Sequence, residues 1–386
     1  MTNIIYIQPI EKHDHKHYKQ IAFLYHQSLL KDKHEPLNEV MLLSLIRTAN
    51  SSDAREILEN YFPDATPKYN DTNICYLPSI QFSYSFFAYA KPEVGLHDLD
   101  DREQYKTSSS DYIMAYDSDQ RISPDDAIGY MQLSYGHKRW HLATILNIEK
   151  EVDRLRLMDI FLKIAIAYVE ENGGGTIQLF APKAPSTICE AAQKLLFIES
   201  SVVLCMHKHL EKYKKYDSNL NLSSSVKKNI SPVYEIRTFR IGHDEQIWLD
   251  LNNRAFESHA DQGKWNRDDI LWRECLSWFD PNGFFLLEID TKLAGFCWTK
   301  IIKTQPNEHP RIGEIYILAI DADWQGYGLG EKLLLKAISY LAEQGVEICS
   351  LYCESSNVPA IRLYESMGFT CDHKDILYTL DTKAVG

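Results

Sequence analysis

Apolar and polar positions alternate, then recur at helical spacing, and the same succession appears twice along the chain. Residues 127–136 and 140–148 read as a pair of strands, and an apolar helical run over 152–171 is broken at Gly173–Gly175. A strand over 176–180 and a helix near 186–196 complete the first set. In the second half, 284–290, 293–302 and 313–320 read as strands. A helix over 329–344 ends at Gly345, a strand covers 347–354 and a short helix covers 359–367. This β-β-β-α-β-α order, met twice, predicts an internal duplication of an α/β unit. Between the two copies, residues 214–232 are polar, carry Ser223–Ser225 and end in Pro232, the composition of an exposed linker. A second polar stretch, Asp98 to Asp126, predicts a long loop inside the first half.

Composition narrows the class. A chain of 386 residues with 45% hydrophobic and 25% charged positions predicts two globular domains. Its 41 basic and 54 acidic residues leave a net charge of −13, which argues against nucleic acid as a partner and suits a small amine. No run approaches 18 apolar residues, so no membrane span is expected, and the N-terminus lacks the pattern of a signal peptide. The eight cysteines, at 75, 189, 205, 275, 297, 349, 353 and 371, contain no CxxC pair. They predict free thiols in a reducing cytoplasm, with Cys349 and Cys353 as packing residues of a strand. Neither Cys275 nor Cys297 has a visible neighbouring base, so neither is expected to be a nucleophile. His13, His15 and His17 alternate, but a solvated N-terminal segment explains them better than a metal site, and no metal is expected.

The most informative segment runs from Asp321 to Gly330, between the strand ending at Ile320 and the helix starting near Leu329. Gly326, Gly328 and Gly330 let the backbone turn sharply and present several N–H groups at a helix start, a ready anion site. Glu331 follows Gly330, so the loop is not a Walker phosphate loop. The third glycine falls one residue early for a dinucleotide fingerprint. A pyrophosphate without bridging magnesium and an ordinary helix N-terminus both fit this spacing. In a regular strand Glu314, Tyr316 and Leu318 would share one face, with Glu314 either in a site or at a solvated edge.

Two ordered signatures identify a resemblance. Glu314 to Gly330 resembles the acetyl-CoA loop of the GNAT (GCN5-related) N-acetyltransferases. Leu351 to Phe369, with Asn357, Ala360, Tyr364, Gly368 and Phe369, resembles their second signature about 30 residues on. Over 233–386 a narrower resemblance, to the tandem mycothiol synthase subfamily, rests on Asn252–Phe256, His259–Gly263, Gly295–Lys300 and Gly313–Ile317. The resemblance implies two tandem GNAT domains in an α/β (α+β mixed sheet) fold, each a mostly antiparallel sheet flanked by helices. It implies an N-terminal domain over 1–222 and a catalytic domain over 233–386, as a monomer or weak dimer.

By the same resemblance, acetyl-CoA is the acyl donor, Glu314 the general base and Tyr364 the acid that protonates the departing thiolate. Backbone groups of Leu318, Ala319 and Ile320 would pair with the pantetheine arm. Gln325, Gly326, Tyr327, Gly328, Leu329, Gly330 and Glu331 would hold the pyrophosphate, joined by Asn357 and Ala360. Glu39, Asp261, Lys300 and Tyr352 would touch the acceptor, the cysteinyl amine of cysteinyl-glucosaminyl-inositol. Another acceptor amine, such as an antibiotic, a polyamine or a protein N-terminus, and a non-catalytic acyl-CoA sensor are the alternatives. Two departures stand out. The first half has Glu151 to Leu157 with no glycine where its own loop should fall, which predicts a degenerate domain. Tyr327 stands where the family usually places Arg or Lys.

Overall fold

A computed structural model describes residues 4–10, 82–91, 104–105, 114–115, 127–136, 138–148, 151–210, 232–257, 262–276, 278–301 and 310–384, together with Ile21 and Leu24. The described residues fall into two compact units. One takes those up to Ser201 together with those from Asp375 onward, and the other takes Val202–Lys374.

In the first unit, β1 (Ile4–Ile10), β2 (Phe82–Lys91), β5 (Ala127–Gly136) and β6 (Arg139–Leu146) are antiparallel neighbours. Two short strands, β3 (Gln104–Tyr105) and β4 (Met114–Ala115), extend the β1 edge. β6 then runs parallel to β7 (Gly174–Ala181). The helix α1 (Glu151–Glu171) supplies that crossover, and α2 (Ser186–Lys194) follows β7. Leu157, Phe161 and Ala165 of α1 pack with Leu133, Leu142 and Leu179 of the sheet in one apolar core.

The second unit repeats this plan. It contains β9 (Glu235–Thr238), β10 (Phe284–Ile289), β11 (Lys292–Ile301) and β12 (Ile312–Ile320) in antiparallel succession, then β13 (Ile348–Glu354) parallel to β12. α3 (Glu245–Ala255) and α4 (Arg267–Cys275) lie between β9 and β10 in sequence. α5 (Leu329–Glu343) joins β12 to β13, and α6 (Val358–Ser366) follows β13. α4 starts on a capping box in which Asn266 and Asp269 satisfy each other's backbone N–H groups.

The two faces of this sheet bury different chemistry. Leu333, Leu334, Ala337, Ile338 and Leu341 of α5 pack on an aliphatic face formed by Leu287, Cys297, Ile315 and Leu351. The opposite face is aromatic. Trp298 stacks on Phe284 at 4.4 Å, and Trp248 of α3 meets Trp298 edge-on at 5.6 Å.

Two strands do not follow the linear order. Residues 203–209 of β8 (Ile198–His209) pair with β13 in the second unit, and residues 376–383 of β14 (Thr370–Lys383) pair with β7 in the first. A cut between 222 and 233 therefore parts each sheet from one of its strands, and residues 211–231 of the expected linker lie outside the described residues. Met206, 1% exposed, sits in the core of the second unit although it precedes the expected linker. Met206→Ala is expected to cost about 2–5 kcal/mol in urea unfolding. A loss within about 0.5 kcal/mol, the range of a surface change, would contradict this placement of β8.

Candidate functional site

β12 and β13 pair over four rungs, from Ile312↔Ile348 to Ile315↔Leu351, and then the ladder ends although both strands continue. A β-bulge marks the place on the other side. Trp298 pairs with Ile317 and Thr299 with Ile315, so Tyr316 is the extra residue of β12. The bulge overturns the expected single face for Glu314, Tyr316 and Leu318. Tyr316 lies 5.3 Å from Trp298 on the aromatic side, whereas Leu318 pairs with Cys297 and packs against the aliphatic core. Strict alternation fails because one inserted residue reverses the parity of those that follow. Glu314 sits on the penultimate rung, opposite Lys300 on β11 and Ser350 on β13.

Beyond Ile320 the chain turns through a short helical turn over Ala322–Trp324 into the glycine loop. Asp321 caps that turn through Asp323 N–H and pairs with Arg254 of α3 at 2.7 Å. Burial opposes ionisation of Asp321, but the Arg254 contacts outweigh it and hold the carboxyl below its usual range. Gln325 Nε2 folds back on the Ile320 carbonyl at 3.1 Å. Gly326 and Gly328 have φ of +84° and +75°, a conformation that other residues adopt at a cost, and Gly328 caps α5. No atom lies within 4 Å of a Cβ built at Gly326, so the loop is open there. Tyr327 packs against the core and lies 5.9 Å from the Trp324 ring. The residue standing in place of the family's cation is thus part of the loop's packing.

Tyr364 of α6 is 7% exposed and joins the aliphatic core. Burial, followed by the neighbouring Cys353 and Cys297 thiols, pushes its phenol well above the ordinary value, so it keeps its proton. Asn357 caps α6, its Oδ1 accepting from Ala360 N–H at 3.2 Å. Both residues are therefore engaged with each other at the helix start. Gly330 lies close enough to α6 that an added Cβ would meet Leu363 at 3.4 Å.

On the aromatic side, sequence reading found Lys300 but missed its surroundings. Lys300 Nζ lies 5.3 Å from the Trp278 ring centre and 6.0 Å from that of Tyr316. Arg273 Nε donates to the Tyr316 hydroxyl at 2.9 Å, while its guanidinium stacks 3.7 Å from the Trp265 ring centre. A lone arginine in a short helix gives no signal in sequence. Tyr352 is 52% exposed on β13. Glu39, Asp261 and the run His13–His17 lie outside the described residues.

The first unit has the same parting without the same chemistry. β6 and β7 pair only over Trp140–Leu142, and β5 and β6 keep one unbroken register with no bulge. His141 holds the penultimate rung that Glu314 holds in the second unit. The segment after β6 has no glycine, and α1 opens with Glu151 and Asp153. Ser186 Oγ, at the start of α2, donates to the Glu151 carboxylate.

Behind the aromatic face, Glu274 of α4 and Glu245 of α3 are both buried, and Glu274 Oε1 has no hydrogen-bond partner. Burial, then the Glu245 carboxylate, pushes Glu274 up to about 8. Among the described residues no cluster could hold a metal ion and no helix is long and apolar enough to cross a membrane.

An acid on the penultimate rung of two parting strands, a glycine loop at a helix start and a buried phenol all belong to the second unit. The pattern described as "Acetyltransferase (GNAT) family" matches residues 246–369. A mycothiol acetyltransferase of Acidimicrobium ferrooxidans is 34% identical over 66% of this chain and 79% of its own. One from Thermomonospora curvata is 46% identical over 37% of this chain and 46% of its own, so that match spans about half of the relative. Two solved structures share the fold along 99% of the chain, each with a TM-score of 0.55. They are a GCN5-related N-acetyltransferase from Sphaerobacter thermophilus, 14% identical, and a tandem GNAT protein from the clavulanic acid pathway, 12% identical. The chain belongs to the GNAT acetyltransferase family, with relatives named mycothiol acetyltransferase, and it is a tandem-GNAT N-acetyltransferase.

Glu274 also yields a stability prediction. The folded protein holds its proton to about 8, whereas the unfolded chain releases it near 4.5. Native protein therefore binds the extra proton between these values, and stability falls as pH rises through that window. Glu274→Gln is expected to raise the urea midpoint at pH 8 and to match the wild type at pH 4. Equal midpoints at both pH values would contradict the assignment.

Proposed function

We propose that the second unit binds acetyl-CoA in the gap between β12 and β13 and transfers its acetyl group to the cysteinyl amine of a mycothiol precursor. The observation that carries the reading is Glu314 on the penultimate shared rung, directly before the strands part and the glycine loop begins. Past Ile315, backbone groups of Leu318, Ala319 and Ile320 that face away from β11 are proposed to pair with the pantetheine arm, with Gln325 releasing the Ile320 carbonyl it now holds. N–H groups from Gln325 to Glu331, gathered at the start of α5, meet the pyrophosphate, with Asn357 and Ala360 bordering the path.

The acceptor nitrogen attacks the thioester carbon, forming the C–N bond as the C–S bond breaks. Glu314 takes the ammonium proton, directly or through water, help worth about 10²–10⁴-fold in rate. Tyr364, held neutral by its burial, gives a proton to the departing sulfur. Lys300 and Tyr352 border the acceptor, and Glu39 and Asp261 are proposed partners by resemblance.

The first unit is proposed to be degenerate as a donor site. Carboxylates occupy the start of α1, and Ser186 ties Glu151 toward α2, so neither charge nor space favours a pyrophosphate. The free thiols support work in a reducing cytoplasm.

A mass-spectrometric transfer assay tests the substrate. Purified protein with acetyl-CoA is expected to acetylate cysteinyl-glucosaminyl-inositol much faster than a panel of simple amines. Turnover on a panel amine alone would move the substrate while keeping the chemistry, and turnover on none would favour a sensor. Glu314→Gln and Tyr364→Phe are expected to cut kcat by about 10²-fold or more while calorimetry shows unchanged CoA binding. Unchanged turnover in both variants would remove the roles given to these residues.

A further inference from the structure

One row of side chains crosses the second unit's sheet. Lys300 on β11 pairs with Glu314 on β12, Glu314 with Ser350 on β13, and Ser350 with His207 on β8. The alternate residues Leu351 and Met206 point into the aliphatic core under α5, so Ser350, Tyr352 and His207 share the face of Glu314. Adjacent strands lie about 4.8 Å apart, which puts His207 roughly 10 Å from Glu314, two strands away.

The polar groups along this row have assigned directions. Ser350 Oγ donates to the Gly313 carbonyl at 3.3 Å, so on the rung it shares with Glu314 its hydroxyl oxygen has only acceptor capacity left. Two acceptors side by side suit the N–H groups of an amine. Farther along, His207 Nδ1 faces the Asp372 carboxylate at 3.6 Å and its ring meets that of His209 edge-on at 5.8 Å, with Nε2 one ring carbon beyond Nδ1. The His207 side chain is 30% exposed and Tyr352 beside it 52%, so this half of the row is open.

We propose that this row is the long axis of the acceptor site, with the amine at Glu314 and Ser350 and His207 a specificity-determining contact for a hydroxyl roughly 10 Å away. The acceptor class is an amine carried on an extended polyhydroxylated body. The inference rests on the acetyltransferase reading above and deepens it. It also gives β8 a function, since a residue before the linker completes the acceptor surface of the second unit.

The test compares cysteinyl-glucosaminyl-inositol with the truncated cysteinyl-glucosamine as acceptors. The wild type is expected to prefer the full conjugate in kcat/KM by about tenfold, the worth of one or two hydrogen bonds. His207→Ala is expected to erase that preference and to leave kcat/KM for the truncated acceptor within about twofold of the wild type. His207→Gln, which keeps a hydrogen-bonding group, is expected to retain part of the preference with an unchanged melting temperature. An equal fall for both acceptors in His207→Ala, an unaltered preference, or no preference in the wild type would overturn the proposal. Wild-type protein that acetylates a panel amine and neither conjugate would overturn the substrate reading, and this subsite with it, while sparing the transfer chemistry.

Discussion

Four rungs of parallel ladder hold β12 to β13 and stop at Ile315 and Leu351, while both strands run on. Backbone groups past that point must find partners outside the ladder, and burying them unmet would cost about 1–3 kcal/mol each. The gap is therefore stable only if something polar enters it or solvent reaches it. The bulge at Tyr316 turns β12 aside on the β11 edge, so the parting is built into the strand. Glu314 stands one rung before the parting, and the glycine loop follows β12 at the start of α5.

The two faces of the sheet divide the work. The aliphatic face packs α5 together with Tyr364 and Leu363 of α6. The aromatic face packs α3 and α4, and each of these helices reaches β12 or the turn after it through one arginine. Arg254 of α3 holds Asp321 at the mouth of the loop, and Arg273 of α4 holds Tyr316 at the bulge. Both pairs tie β12 and the turn after it to helices packed on the aromatic face. Buried Glu274 on α4 exacts a stability cost near neutral pH that no catalytic step explains.

Much of this was legible in the chain. The strands over 127–136, 284–290 and 313–320 and the helix over 329–344 match the structure within one residue at each end. Each is a predominantly apolar run with a glycine or polar stop. The glycine loop announced itself because positive φ leaves few alternatives to glycine. Long-range facts stayed hidden. That residues 203–209 complete the second sheet, and residues 376–383 the first, depends on pairing between distant segments, which local period cannot report. The bulge was invisible for a related reason: Glu314 to Ile320 alternates in burial throughout, and only the register against β11 shows the extra residue. Arg273 and His207 are single polar residues that meet Tyr316 and Asp372 far along the chain.

Duplication has left the same frame with different contents. His141 stands on the rung that Glu314 occupies, and Glu151 and Asp153 begin the helix that answers to α5. Hydrogen–deuterium exchange with and without acetyl-CoA tests the central claim most directly, because the backbone groups of 316–320 not paired to β11 and the loop over 321–331 are the groups a bound donor would engage. The account predicts slowed exchange over 316–331 on adding acetyl-CoA, with residues 142–156 of the first unit unchanged. Protection at 142–156, or none over 316–331 at saturating acetyl-CoA, would contradict it.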